Sequence, residues 1–188
     1  MTFVFDRSRY VFVLKTKDEV FSKFREFQTM IERQTENRIK ILRSENGTEF
    51  ANHAFDNYLK DRDIIHQLTV PYMPQQNGVA ERFNRTSVEM ARCMLLNANL
   101  GEHLWAEAVN IAAYLRNRAT ARALNCTTSY KIFYGSKLFV GHLKMFGPTV
   151  IALDKRQKRK FSPKGTQYEM VGYSNTSKAY RLYNRTNW

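Results

Sequence analysis

The feature that most constrains this fold is an alternation of short β-like segments with amphipathic segments up to Thr120. In the amphipathic segments, apolar residues recur at steps of three and four, which is typical of a helix with one buried face. The β-like segments are short runs of Val, Ile, Phe and Tyr. This alternation predicts an α/β fold. In chain order we predict a β-hairpin at 2–5 and 10–14, a helix at 18–35, a strand at 39–43, a helix at 50–59, a strand at 63–67, and helices at 79–98 and 102–118.

After Thr120 the sequence changes character. Short β-like segments at 137–140, 149–153, 167–173 and 179–183 are separated by Gly, Pro, Ser and Asn, residues that favour turns. We therefore predict three regions: an α/β core at 1–120, a connecting segment at 121–141, and a small basic β-rich segment at 142–188.

Charge indicates the class of partner. Thirty Lys and Arg residues against 17 Asp and Glu give a formal net charge of +13. Such an excess favours a polyanion, because each phosphate contact releases condensed counterions. A basic run lies between two predicted β-like segments, and it could be a solvated loop, a nuclear import signal or a phosphate-contacting surface. Its residues include Lys155, Arg156, Lys158, Arg159 and Lys160.

Other features exclude several classes of protein. No apolar run approaches the roughly 18 residues of a membrane span, and the N-terminus lacks an apolar signal segment. We expect an intracellular chain, nuclear or cytoplasmic, with no membrane partner. Cys93 and Cys126 have no neighbouring cysteine and the four histidines are scattered, so neither a structural zinc site nor a disulfide framework is expected.

Two carboxylates are candidates for metal chemistry. Glu45 directly follows a predicted strand, and Glu81 lies in the first turn of the helix at 79–98. If these elements pack together, the two side chains could hold a hard divalent cation such as Mg²⁺, which prefers oxygen ligands. Alternatively, Glu45 is simply solvated and Glu81 stabilises the positive end of the helix. The residues alone leave both interpretations open.

Several longer motifs carry a family resemblance. Four motifs of this chain resemble those of copia-type retrotransposon integrases and occur in the same order. They are LRSENGTEF at 42–50, PYMPQQNGVAERFNRT at 71–86, LWAEA at 104–108 and YLRNR at 114–118. The segment that follows the core in those polyproteins is resembled by VGYS at 171–174 and KAYRL at 178–182. The likeness covers nearly the whole chain, and the stretch at 71–86 is its most specific part.

The resemblance implies a ribonuclease-H-like integrase core that joins DNA strands with Mg²⁺ or Mn²⁺, and it allows for a homo-oligomer. The family uses an Asp, Asp, Glu triad with 35 residues between the last two members. Glu45 and Glu81 enclose 35 residues, positions 46 to 80, so both would be catalytic metal ligands. The loop at 75–78 would be a flap in which Gly78 permits unusual backbone shapes. The residues that would contact DNA are Gln75, Asn77, Asn84 and Arg85.

Two departures from the family pattern predict impaired catalysis. The family has Asp where this chain has Glu45, and the added methylene moves the carboxylate outward by roughly one bond length. The first Asp of the triad belongs to a central strand upstream of residues 2–5, and Asp6 does not replace it. The family's zinc module is a separate part that also lies upstream. Without that strand we expect a weakened or split sheet. The alternative functions are a catalytically dead DNA-binding remnant and a co-opted protein-interaction module.

Overall fold

The computed structural model describes residues 1–5, 8–50, 52–70, 77–121, 124–136, 138–153, 164–174 and 176–185. The chain divides into two compact units, Met1–Asn84 and Arg85–Trp188. Six residues of the predicted DNA-binding set lie outside the described residues, namely Gln75, Lys155, Arg156, Lys158, Arg159 and Lys160.

The strands of the first unit form two separate pairs. β1 (Thr2–Phe5) and β2 (Ser8–Val11) make the antiparallel hairpin that the sequence predicts, with Phe3 opposite Tyr10. β3 (Ile41–Ser44) and β4 (Ile65–Leu68) run parallel. In the described part of the chain no ladder joins the two pairs, so the prediction of a split sheet is confirmed.

Helices supply most of the core of the first unit. α1 (Glu19–Thr35) buries one face, as its three- and four-residue spacing predicts, and ends where Glu36 turns left-handed at φ 55°. α2 (His53–Asp61) begins at Asn52, whose side chain accepts a hydrogen bond from the Phe55 amide. The buried apolar residues of this unit are Phe3, Val20, Phe24, Phe27, Ile31, Ile39, Phe55, Leu59, Ile64 and Phe83.

The second unit packs helices against a continuous sheet. Its helices are the later part of α3 (Gly78–Asn97), a 3-10 turn (Glu102–Leu104), α4 (Trp105–Arg118) and α5 (Ser129–Tyr134), with β5 (Thr120–Ala121) pairing with β6 (Thr127–Thr128). β7 (Thr149–Leu153), β8 (Gly165–Tyr173) and β9 (Tyr180–Tyr183) form an antiparallel sheet in that order. The core residues are Ala91, Leu95, Leu104, Ala108, Ile111, Phe146 and Val171.

Two differences from the predicted elements concern the second unit. The strand predicted at 137–140 is wrong over 138–140, where Phe139 and Val140 are 74% and 54% exposed and none of the described strands pairs with them. A β-like run forms a strand only when a neighbouring strand accepts its hydrogen bonds. Conversely, α5 was not predicted, although Thr128 and Gly135 mark its two ends. The region boundaries at 120 and 141 stay predictions.

Candidate carboxylate site

Glu45 lies exposed at the carboxyl end of β3, in a loop held by hydrogen bonds. The Thr69 amide donates to the Ser44 carbonyl over 2.9 Å, and the Asn46 side chain donates to the Thr69 carbonyl over 3.0 Å. The Phe50 amide closes the turn by donating to the Gly47 carbonyl. Because β3 and β4 are parallel, the segments that follow them meet at one edge of the pair, and these bonds fix the backbone around Glu45 there.

Asn77 connects Glu45 with the start of the helix that carries Glu81. The Asn77 side chain donates from Nδ2 to Glu45 Oε1, and the Asn77 carbonyl accepts from the Glu81 amide over 3.1 Å. Glu81 itself is exposed in the first turn of α3. The structure therefore places the Glu45 carboxylate and the helical turn of Glu81 on either side of one residue. The sequence predicted Asn77 as a DNA contact and did not predict this linking position.

The two predicted metal ligands carry oxygen donors, the kind that a hard divalent cation prefers. Glu45 and Glu81 are both exposed and both offer carboxylate oxygens, and Mg²⁺ is commonly bound through one or two carboxylates together with water. Among the described residues, no three His, Cys, Asp or Glu side chains are grouped closely enough to hold a metal. The role of Glu45 and Glu81 as metal ligands therefore stays a prediction from the family resemblance.

The remaining described residues of the predicted site have different surroundings. Asn84 is exposed, and its Oδ1 accepts a hydrogen bond from the Thr2 hydroxyl over 2.7 Å, which ties α3 to β1. Arg85, the next residue, is exposed. The conformational role predicted for Gly78 is wrong, because Gly78 is the first residue of α3 and its φ is not positive. A regular helical φ needs no glycine.

Sequence reasoning missed a polar line behind Glu45. The Ser44 Oγ lies 2.8 Å from His66 Nε2, and His66 Nδ1 lies 3.4 Å from Asp56 Oδ1. The Ser44 hydroxyl also donates to the Glu45 carbonyl over 3.1 Å. These side chains are 10 and 22 residues apart along the chain, so no local pattern indicated that they meet.

The second unit contains a separate cluster of aromatic and cationic side chains. The Arg118 guanidinium carbon lies 3.4 Å from the centroid of the Tyr114 ring, which stacks on Tyr173 with centroids 4.7 Å apart. The Tyr114 hydroxyl lies 2.7 Å from His142 Nε2. Burial raises the pKa of Tyr114 and lowers the pKa of Arg118. The short approach of the cation to the ring makes this a packed cation–π contact.

Comparisons with known proteins cover both units. The retroviral polymerase SH3-like domain family matches residues 149–187, the region of β7, β8 and β9. The retrovirus-related Pol polyprotein from transposon TNT 1-94 of Nicotiana tabacum is 40% identical over 186 residues, which is 97% of this chain and 14% of that protein. The corresponding polyprotein from transposon RE2 of Arabidopsis thaliana is 32% identical over 94% of this chain and 12% of its own length. The chain therefore spans about one-seventh of the length of these relatives or less.

Solved structures resemble the fold. The catalytic core domain of BIV integrase aligns with a TM-score of 0.50 and 23% identity, over 71% of this chain and 84% of that chain. A chain of the simian T-cell lymphotropic virus intasome, solved with PP2A regulatory subunit B56 gamma, aligns with a TM-score of 0.52 and 15% identity. That alignment covers 94% of this chain and 66% of the intasome chain. These likenesses confirm the predicted ribonuclease-H-like α/β fold of the integrase core.

Proposed function

The chain belongs to the copia-type retrotransposon Pol polyproteins, and we propose from this membership that it binds DNA as an integrase core whose strand-transfer chemistry is impaired. One observation carries the proposal: Asn77 contacts the Glu45 carboxylate through its side chain and the Glu81 amide through its carbonyl. The Glu45 carboxylate and the backbone of Glu81, two residues with 35 others between them in sequence, are thereby linked at the start of α3.

Glu45 and Glu81 are the residues that would hold Mg²⁺ or Mn²⁺. A bound cation supplies Lewis-acid polarisation of a phosphate oxygen. Asn77 orients the Glu45 side chain through a hydrogen bond to Oε1. Glu45 reaches roughly one bond length further than an Asp would, and a misplacement of about 1 Å can cost on the order of a hundredfold in rate. We therefore propose that DNA binding is retained and that the chemical step is slowed.

The charge of the chain supports a contact with the DNA backbone. α3 carries three exposed arginines, Arg82, Arg85 and Arg92, and the whole chain has a net charge of +13. We propose that Asn84 and Arg85 contact phosphates, together with Gln75 and the basic run at 155–160. Phosphate contacts fix position without reading sequence, so little sequence preference is expected. Affinity should instead depend on salt.

A DNA-binding titration of the full chain at two salt concentrations, with and without Mn²⁺, tests both parts of the proposal. About four phosphate contacts would lower the affinity roughly a hundredfold between about 50 mM and about 200 mM salt. Mn²⁺ should tighten binding by the wild type, and Glu81→Gln should abolish that gain. Glu89→Gln is the matched control, because Glu89 is an exposed glutamate on the same helix and should keep the gain.

The outcomes separate the two parts of the proposal. Affinity that does not change with salt would contradict binding through phosphates. An identical Mn²⁺ response in the wild type, Glu81→Gln and Glu89→Gln would contradict the metal role of Glu81 and leave the catalytically dead DNA-binding remnant as the function. Efficient Mn²⁺-dependent strand joining by the wild type would contradict the impairment.

A further inference from the structure

Three polar side chains form a line that ends on the backbone of Glu45. Asp56 on α2 lies against His66 on β4, and His66 lies against Ser44 at the end of β3. The Ser44 hydroxyl then donates to the carbonyl oxygen of Glu45 over 3.1 Å. Ser44 and His66 are diagonal neighbours on the face of the β3–β4 pair that is turned toward α2.

We infer that Asp56, His66 and Ser44 form a positioning relay for Glu45, an inference that rests on the metal-binding role proposed for that residue. The arrangement resembles a nucleophilic triad in its residue types, but Ser44 is only 8% exposed. Its proton is also directed at a neighbouring carbonyl. A buried hydroxyl engaged in this way cannot attack a substrate, so the line acts through Glu45.

The number of protons on each group determines which atoms of the relay donate hydrogen bonds and which accept them. A serine hydroxyl has one proton, and Ser44 gives it to the Glu45 carbonyl, so Ser44 Oγ must accept a hydrogen bond from His66 Nε2–H. Asp56 Oδ1 lies 3.4 Å from the other ring nitrogen, Nδ1, and since a carboxylate can only accept, this hydrogen bond forms when Nδ1 also carries a proton. Phe55, the neighbour of Asp56 on α2, stacks against the imidazole with centroids 6.0 Å apart and planes 30° apart. α2 therefore sets both the plane and the direction of the ring.

The relay and Asn77 hold Glu45 at opposite ends. Ser44 fixes the backbone carbonyl, whereas Asn77 fixes the carboxylate at Oε1. A side chain anchored at both ends can occupy few rotamers, which reduces the ordering needed when a cation binds. Partners that orient metal ligands from outside the first coordination sphere typically change metal affinity by about 10- to 100-fold.

Two substitutions of His66 separate its contacts. The amide of His66→Gln reaches as far as Nε2 and can still donate to Ser44, whereas the amide of His66→Asn reaches only as far as Nδ1 and loses Ser44. Ser44→Ala removes the same bond from the other side. His53→Asn is the matched control, because His53 is exposed at the start of α2.

Hydrogen exchange and Mn²⁺ titration of the full chain are the two readouts. The amides of Thr69 and Phe50 report on the loop, because they donate to the carbonyls of Ser44 and Gly47. In His66→Asn and Ser44→Ala we expect exchange at both amides to be about tenfold faster and Mn²⁺ affinity to be about tenfold weaker. His53→Asn should behave as the wild type does, and His66→Gln, which keeps the bond to Ser44, should lose clearly less than His66→Asn.

Two other results of these experiments would overturn the inference. Unchanged exchange in His66→Asn would overturn the relay, and so would equal losses in His66→Gln and His66→Asn, since His66 would then merely fill space. If the wild type binds no Mn²⁺, the metal role of Glu45 fails, and the exchange comparison alone still decides whether the relay holds the Glu45 backbone.

Discussion

The first unit holds its described strands only in separate pairs, whereas the second unit, besides the short β5–β6 pair, places β8 between β7 and β9 in a three-stranded sheet. Their cores differ as well. Phe24 in the first unit contacts Phe3 and Phe55, with ring centroids 5.9 and 5.2 Å apart, while the second unit packs the aliphatic side chains of α4 against β8. Strand pairs without a joining ladder must be held together by side-chain packing, and large aromatic rings provide most of that packing area.

The same contrast is visible on the sheet surface of the first unit. Ile41 and Ile65 face each other across the parallel β3–β4 pair and are 51% and 59% exposed. Parallel strands are usually covered on both faces. The first unit thus combines a tightly packed helical side with an exposed apolar sheet face, and its two candidate metal ligands lie at the ends of elements and not in the core.

The largest expected effect is the loss of an aromatic ring from the first unit. Phe24→Ala should lower the free energy of unfolding by about 3–5 kcal/mol, because the ring is fully buried and leaves a cavity between its two aromatic neighbours. Ile111→Ala in the second unit should cost less, about 2–4 kcal/mol, because the side chain is smaller. Urea unfolding followed by circular dichroism measures both. Thr29→Ala, at an exposed position of α1, should change stability by no more than about 0.5 kcal/mol.

If Ile111→Ala proves more costly than Phe24→Ala, the proposed contrast between the two cores is wrong. A large loss in Thr29→Ala would mean that α1 is sensitive at any position, and the effect of Phe24→Ala could not then be assigned to its ring.

The second effect compares two helix caps, one in each unit. The Asn52 side chain accepts from the Phe55 amide over 2.9 Å at the start of α2, and the Thr128 hydroxyl accepts from the Lys131 amide over 3.0 Å at the start of α5. Either substitution by Ala should cost about 1 kcal/mol, measured by urea unfolding. Asn52→Ala should also accelerate hydrogen exchange at Thr69, because α2 carries Asp56 and orients His66. Thr128→Ala serves as the control and should leave that amide unchanged.

If hydrogen exchange at the Thr69 amide were equally faster in both cap variants, the cause would be general destabilisation of the chain. If hydrogen exchange at Thr69 were not faster in Asn52→Ala, the cap would stabilise α2 alone and would not contribute to the relay.

Local patterns predicted most elements but not the contacts that build the site. The periodicity of α1 and the Val- and Phe-rich hairpin were sufficient because their burial repeats along the chain. α5 was missed since its six residues are too few for a period, even though Thr128 and Gly135 are ordinary end signals. A β-like pattern at 138–140 could not reveal that, among the residues the structure describes, no strand pairs with this segment.

The candidate site shows the same limit. Glu45 and Glu81 were predicted from a family resemblance, because their interval of 35 residues has meaning only beside related sequences. The link through Asn77 and the Asp56–His66–Ser44 line depend on side chains that are distant in sequence and are brought together by packing. The scattered histidines of the sequence did not indicate these contacts, because a single histidine forms neither a periodic pattern nor a motif.

The smallest effect concerns pH and the second unit. Burial raises the pKa of Tyr114 above its ordinary value of 10.0. Above that value the unfolded chain loses the phenol proton while the folded chain retains it, so the unfolded state binds fewer protons and stability falls as pH rises. The contribution is complete below the ordinary pKa and is lost as pH passes through the raised one. Urea unfolding at about pH 9 and about pH 11 should show this fall in the wild type and a shallower fall in Tyr114→Phe. An equal fall in both proteins would mean that the Tyr114 hydroxyl, despite its 2.7 Å contact with His142, is as free to ionise in the folded chain as in the unfolded one.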